Sequence, residues 1–329
     1  MRAIISAVGH YAPEKRLTNQ ELEEMVETSD EWITTRSGIK ERRILAAGKG
    51  TSFMAVKAAR AVLSQRGVDA DEIDMILVAT VTADMMFPAT AALVQKKLKA
   101  TRCWGFDVGA GCSGFLCALS TGAQFIETGK YKKVLVIGAD KMSAILNYED
   151  RNSCVLFGDG AGAVLLEPGP SDAPGIEDFL MRMDGEGGKY LYMPAGGSLH
   201  PATMETVQDK MHFLVQDGKP VFKAAVNGMV EVAVDILARS NLTAEDLDLL
   251  IPHQANLRII EALAGRLKMP LEKIMVNIEK YGNTTAATIP MAMSEAHGAG
   301  RLKKGNRVLL AAFGTGFIWG SMLLTWAMD

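Results

Sequence analysis

Residues 55–77 read AVKAARAVLSQRGVDADEIDMIL, and residues 229–251 read MVEVAVDILARSNLTAEDLDLLI. The two stretches match without a gap, 174 residues apart: Val56 falls on Val230, Ala59 on Ala233, Leu63 on Leu237, Ala70 on Ala244 and Asp74 on Asp248. Gly67 falls on Asn241, the two residue types best able to take the left-handed conformation that ends a helix. Further along, Lys133-Val134-Leu135-Val136 falls on Arg307-Val308-Leu309-Leu310 at the same spacing. Two distant segments sharing one spacing mean that the chain is written twice. Each half reads as amphipathic helix, acidic turn, apolar strand, long loop, glycine-rich turn, helix and apolar strand. Strands alternating with helices predict an α/β fold, with a mainly parallel sheet covered by helices. The halves are expected to form a pseudo-symmetric pair, residues 1–170 and 171–329, with the boundary inside 168–187, where glycine and proline cluster. Residues 188–220 follow no clear period and are expected to form an irregular loop with some helix.

The bulk numbers restrict the function classes. The chain has 329 residues, 48% hydrophobic and 22% charged, which is ordinary globular composition. Its formal net charge of −3 gives no reason to expect nucleic-acid binding. No apolar run approaches the ~18 residues of a membrane span, so no membrane association is expected. The opening residues, Met1-Arg2-Ala3-Ile4-Ile5-Ser6-Ala7-Val8-Gly9, read as a strand and not as a signal peptide. Four cysteines in a chain this long do not make a disulfide framework, so a reduced, cytoplasmic protein is expected. The histidines and cysteines show no paired ligand spacing, so no metal is expected.

The chemistry-bearing motifs fall in equivalent places of the two halves. Gly109-Ala110-Gly111-Cys112-Ser113-Gly114-Phe115 puts a cysteine on a glycine-rich turn between an apolar run, 103–108, and a helix-like run, 115–119. A helix N-terminus beside the sulfur favours thiolate, and such sites have thiol pKa values of roughly 3.5–7.5. The same logic exposes the serine of a hydrolase nucleophile elbow. Cys112 is therefore the expected covalent nucleophile. In the second half, the strand 247–251 ends at Pro252-His253-Gln254-Ala255-Asn256, and ligand chemistry gathers at the carboxyl ends of parallel strands. Lys280-Tyr281-Gly282-Asn283-Thr284-Thr285-Ala286-Ala287 then opens a small-residue helix expected to end near Met291-Ala292-Met293. Ala286 lies 174 residues after Cys112, so the Asn283 turn is the counterpart of the cysteine turn. Ala311-Ala312-Phe313-Gly314-Thr315-Gly316-Phe317 follows the last apolar strand, where a glycine loop brings a backbone N–H to an oxyanion or simply joins two buried strands.

In this order and spacing, GAGCSGF, IPHQANLRI, YGNTTAA and AAFGTGF resemble beta-ketoacyl-acyl carrier protein synthase III, a thiolase-like condensing enzyme family. The similarity extends to Thr28-Ser29-Asp30-Glu31-Trp32-Ile33, Arg36-Ser37-Gly38-Ile39, Phe87-Pro88-Ala89 and Phe157-Gly158-Asp159-Gly160-Ala161-Gly162-Ala163, and spans essentially the whole chain. It implies a duplicated five-layered αβαβα fold, a homodimer and no cofactor, with acyl-CoA and malonyl-acyl carrier protein as substrates and initiation of fatty acid synthesis as the role. It implies acylation of Cys112, with His253 and Asn283 donating hydrogen bonds to the enolate formed by decarboxylation. The backbone N–H groups of Cys112 and Thr315 would form a second oxyanion site. By the same resemblance Trp32 and Arg151 would hold the CoA adenine, and Thr28, Arg36 and Asn256 the pantetheine route. Lys223 and Arg258 would face the acidic acyl carrier protein, and Phe87 would reach the partner subunit's acyl pocket. The chain departs from the commonest pattern in its GAGCSG turn, in Gly-Thr-Gly where three glycines are usual, and in a long 188–220 stretch.

Three rival readings remain at this level. Gly109-x-Gly111-x-x-Gly114 is also a dinucleotide fingerprint, with Asp140 ending the next strand where a ribose-binding acid would sit. An NAD(P)-dependent oxidoreductase would, however, leave His253 and Asn283 without a use. A noncatalytic acyl-binding relative would have no need of Cys112. A related acyltransferase of secondary metabolism would share the whole Cys–His–Asn set.

Overall fold

Strands built from the two copies of the repeat line up in two separate sheets. The computed structural model describes residues 1–329. The first sheet runs, edge to edge, Arg2–Tyr11, Asp159–Gly169, Val134–Lys141, Met75–Ala79 and Trp104–Val108. The second runs Leu249–Pro252, Arg307–Gly314, Ile318–Thr325 and Ile176–Met183.

Alternation along the strands distributes side chains between layers. Leu77 and Val136 of the first sheet and Ile251 and Leu310 of the second share one buried cluster, with Phe115, Leu116, Ile289 and Met293 from the helices Gly114–Glu127 and Thr288–Gly298. Those two helices are therefore the central layer. Their neighbours Ile76 and Leu135 point the other way, against Val62 and Val94 of the helices Thr51–Arg66 and Thr90–Leu98. Leu250 and Leu309 do the same against Ile236 and Leu263 of Gly218–Arg239 and Leu257–Leu267. The result is helix, sheet, helix, sheet, helix, the five-layered fold of two pseudo-symmetric halves that the resemblance implied. Strands covered on both faces explain the near-continuous apolar runs in the sequence.

The repeat holds at the level of single bonds. Gly67 and Asn241 both adopt left-handed backbone, at φ 68° and 56°. Asp74 Oδ2 accepts the Lys133 N–H at 2.9 Å, and Asp248 Oδ2 accepts the Arg307 N–H at 2.7 Å. Single turns at Gly111–Ser113 and Thr285–Ala287 occupy matching places before the two central helices.

Two expectations are corrected, and the halves differ at one edge. The sheets are mixed: Asp159–Gly169 and Ile318–Thr325 return antiparallel to their predecessors, because no covering helix intervenes to reverse direction. The helix expected to end near Met293 continues through Ser294 to Gly298 and stops before Gly300, which is left-handed at φ 68°. Trp104–Val108 gives the first sheet a fifth strand, whereas the equivalent second-half segment forms the short helix Ile278–Tyr281. Residues 188–220 are largely irregular, holding a two-residue strand pair, Leu191–Tyr192 with Val215–Gln216, and the helix Met204–Gln208. No helix is long and apolar enough to cross a membrane.

Candidate active site

The two central helices start beside each other, and the residues that precede them meet there. Cys112 sits in the turn Gly111–Ser113, between the strand Trp104–Val108 and the helix Gly114–Glu127. Gly111 is left-handed at φ 53°. The loop joining Arg307–Gly314 to Ile318–Thr325 lies directly on this turn. A Cβ at Gly314 would stand 2.7 Å from the Cys112 nitrogen, so only glycine fits. From the far side of that loop the Ile318 carbonyl accepts the Ser113 hydroxyl at 2.8 Å.

His253 follows the strand Leu249–Pro252, and its N–H donates to the Ala311 carbonyl at 2.8 Å, prolonging the ladder by one residue. Gln254 clamps the loop beyond. Its Nε2 donates to the carbonyls of Pro252 and Met275, and its Oε1 accepts the Asn277 N–H. The His253 Nδ1 lies 2.7 Å from Thr288 Oγ1, at the start of the second central helix. Burial lowers the imidazole pKa to about 3, so the ring is neutral. Thr288 was not singled out by sequence; it lies five residues beyond Asn283, within a run that reads only as helix.

Asn283 is held by its backbone, donating to the Leu156 carbonyl at 2.8 Å and accepting the Gly158 N–H at 3.0 Å. Its side-chain Oδ1 accepts the Thr285 N–H at 2.9 Å. That bond fixes the amide orientation and leaves Nδ2 as the free donor.

Cys112, His253 and Asn283 line one cavity of about 940 Å³. Leu156, Phe157, Leu191, Met229 and Phe313 give it apolar walls. Trp32, Arg36, Asn256 and Arg258 line it too, and the exposed Arg36 and Arg258 mark its mouth. Asn256 ties this mouth together across the halves: Nδ2 donates to the Arg36 carbonyl at 3.0 Å, and Oδ1 accepts the Arg258 N–H at 2.9 Å. The Arg151 guanidinium lies 5.2 Å from the Trp32 ring centre, so it reaches the cavity only through Trp32. Lys223 is exposed, next in sequence to Phe222, over whose ring Arg258 stacks at 5.5 Å. Thr28, Arg151, Lys223, Phe87 and Thr315 are not lining residues. The Thr28 hydroxyl is buried without a partner, and Phe87 is 80% exposed, away from this chain's own cavity.

The structure overturns the expectation of a lowered thiol pKa. Burial, with the Asp140 charge added, pushes Cys112 up to about 12. Desolvation outweighs the helix N-terminus here. Asp140 also removes the dinucleotide reading. It is wholly buried, and its carboxylate accepts from the Thr80 and Thr82 hydroxyls and the N–H groups of Val81, Thr82 and Ala286. No lone pair faces a ribose. The glycines of 158–163 serve close packing: a Cβ at Gly160 or Gly162 would stand 2.6 Å from Met291 atoms of the central helix.

Known proteins resemble this chain over its whole length. The family model for 3-oxoacyl-[acyl-carrier-protein] synthase III matches residues 106–185, and the model for its C-terminal part matches residues 237–326. A beta-ketoacyl-[acyl-carrier-protein] synthase III of Koribacter versatilis is 56% identical over 99% of this chain and 98% of its own. One from Chlorobaculum tepidum is 54% identical over 99% of this chain and all of its own. The crystal structure of 3-oxoacyl-[acyl-carrier-protein] synthase III from Aquifex aeolicus superposes with a TM-score of 0.91 at 44% identity, covering 98% of this chain and 100% of that one.

Proposed function

The chain belongs to the 3-oxoacyl-[acyl-carrier-protein] synthase III family, and from that premise we propose how its own residues carry the condensing acyl transfer of fatty acid synthesis. Cys112 Sγ attacks the thioester carbonyl of an acyl-CoA, with acetyl-CoA as the primer. A new C–S bond forms, the bond to CoA breaks, and the CoA sulfur takes up the thiol proton. Thiols leave and attack with similar ease, so this step is reversible. The backbone N–H groups of Cys112 and Thr315 hold the oxyanion. Burial pushes the Cys112 thiol up to about 12, so its proton leaves as the thioester is engaged.

Malonyl-acyl carrier protein then replaces CoA. Its C–C bond to the carboxylate breaks, carbon dioxide leaves, and the electron pair forms an enolate. His253 Nε2 and Asn283 Nδ2 donate to the enolate oxygen. A neutral imidazole suits this role. Thr288 Oγ1 has two acceptors in reach, His253 Nδ1 at 2.7 Å and the Thr285 carbonyl at 3.1 Å. The role proposed for Nε2 requires the hydroxyl to donate to Nδ1, which places the ring proton on Nε2. The enolate carbon attacks the acyl-cysteine, the C–S bond breaks, and 3-oxoacyl-acyl carrier protein departs as the cysteine regains a proton. Trp32 with Arg151 takes the adenine, Thr28, Arg36 and Asn256 the pantetheine arm, and Lys223 with Arg258 the acidic carrier protein. No separate cofactor is required, because CoA arrives as part of a substrate.

We read the working form as a cytoplasmic homodimer. Trp104–Val108 is an open sheet edge, and Met86 and Phe87 stand 76% and 80% exposed. A second copy covering them would let Phe87 close the partner's acyl pocket.

One observation carries the assignment: residues from three separate segments, a cysteine, a neutral histidine and an oriented amide, line a single cavity. The test is intact mass after mixing the protein with acetyl-CoA, wild type beside Cys112→Ala. Gain of one acetyl group by the wild type alone supports it. Failure with acetyl-CoA and with longer and branched acyl-CoAs alike overturns it.

A further inference from the structure

Two features that looked unrelated in the sequence touch in the fold. A Cβ built on Gly111 would stand 2.6 Å from Thr315 Cγ2 and 3.1 Å from the Thr315 nitrogen. The space beside the nucleophile turn that a side chain at 111 would use is thus already filled by the Thr315 methyl. The Thr315 hydroxyl points elsewhere and donates to the Leu191 carbonyl at 2.5 Å. Leu191 pairs with Gln216, and both residues line the cavity. The loop 314–317 is clamped at its other end. Asp184 and Phe317 exchange backbone hydrogen bonds, and the Phe317 ring fills the space over Gly187.

We propose that the Thr315 side chain is a positioning strut that sets the oxyanion loop over Cys112 and locks it to the cavity wall. Its hydroxyl joins the loop to Leu191, so the N–H of Thr315 and this part of the cavity wall move as one unit. Its methyl fills the space beside Gly111, and so adds to the left-handed backbone in keeping a side chain out of position 111. The role belongs to the acylation step and rests on the reading of Cys112 as the acylated nucleophile. A donor displaced by a fraction of an ångström loses most of its value to a transition state, so the strut acts on rate more than on binding.

Two measurements test this on the full chain. Single-turnover acylation by acetyl-CoA is followed by quenched intact mass. Thr315→Val keeps the shape and removes the hydroxyl; it is expected to acylate about tenfold more slowly, at an unchanged half-saturating acetyl-CoA concentration. Thr315→Ser keeps the hydroxyl and is expected to be at least about fivefold faster than Thr315→Val. Equal rates for the wild type and Thr315→Val overturn the strut. The second measurement needs no substrate: melting temperatures of Gly111→Ala, Thr315→Gly and the double variant. The double variant is expected to melt several degrees above the sum of the single losses, because Thr315→Gly clears the space that the methyl added by Gly111→Ala would need. Additive losses overturn this role of the methyl. A wild type that no acyl-CoA labels would instead refute the nucleophile, a result separable from either of these.

Discussion

Gly111 and Thr285 occupy the same place in the two halves, and both adopt left-handed backbone, at φ 53° and 54°. Each begins the single turn that launches a central helix, one carrying Cys112 and the other following Asn283. In the first half glycine takes this conformation freely. In the second a β-branched residue is forced into it, 3% exposed and with its hydroxyl buried without a partner. The geometry of the turn has been kept where the residue best suited to it has not.

The strain makes an unusual ordering of stabilities. Left-handed backbone costs a residue bearing a Cβ about 1–2 kcal/mol, and an unpaired buried hydroxyl about 1–3 kcal/mol. Thr285→Ala removes only the second cost, and Thr285→Gly removes both. Urea denaturation should find the glycine variant the more stable by about 1 kcal/mol, the reverse of their order inside a helix. An alanine variant of equal or greater stability would show that the turn is not strained.

On the proposed mechanism, a change at Thr288 should separate the two half-reactions. Its hydroxyl is the partner of His253 Nδ1 and makes no hydrogen bond to the cysteine turn. Thr288→Val keeps the volume and leaves the imidazole free to change orientation and tautomer. Decarboxylation of malonyl-acyl carrier protein should slow about tenfold or more, and acylation of Cys112 by acetyl-CoA should change little. Thr288→Ser should restore decarboxylation. Equal loss in both half-reactions would mean a general structural defect.

The duplicated fold was legible because 174-residue spacing recurs in helix, turn and strand alike. The cavity trio was legible because the same spacing set the Asn283 turn opposite Cys112, and because His253 ends a buried strand. The thiol's surroundings were not. Asp140 reaches Cys112 from another strand, and the desolvation that dominates its pKa is a property of the assembled layers. Strand direction was misread because a hairpin return and a helical crossover leave similar apolar runs. The contact between Gly111 and Thr315 was invisible for a related reason. Each residue looked like a separate departure from a familiar motif, and only the fold shows that the two are in contact.

Acid and base should act on stability at different groups. The buried His253 has its pKa lowered from 6.5 to about 3, so below about pH 6.5 the unfolded chain binds a proton that the native state refuses. Stability is lost as pH falls through that window. Asp140, raised from 3.8 to about 6, has the opposite sign: its contribution is present at low pH and lost as pH rises through about 6. Cys112, raised from 9.0 to about 12, likewise contributes below pH 9 and loses that contribution between about 9 and 12. Urea midpoints of His253→Asn should therefore fall less steeply than those of the wild type between pH 6.5 and 4. Parallel curves would rule out a buried neutral imidazole.

Asp140→Asn should push two readouts in opposite directions. The carboxylate binds the Thr80–Thr82 segment through Oδ1 and the Ala286 N–H, at 3.1 Å, through Oδ2. An asparagine keeps one oxygen. With that oxygen on the Thr80–Thr82 donors, its NH₂ faces the Ala286 N–H, and donor meets donor. The tie between the first sheet and the Asn283 turn is then lost, and decarboxylation of malonyl-acyl carrier protein should slow about tenfold. The same substitution removes the negative charge that adds to burial in raising the Cys112 pKa, so the thiol becomes easier to ionise. Alkylation by iodoacetamide at pH 8 should accelerate in this variant. A slower alkylation, or one unchanged while decarboxylation falls, would mean that Asp140 acts on the cysteine only through structure and not through its charge.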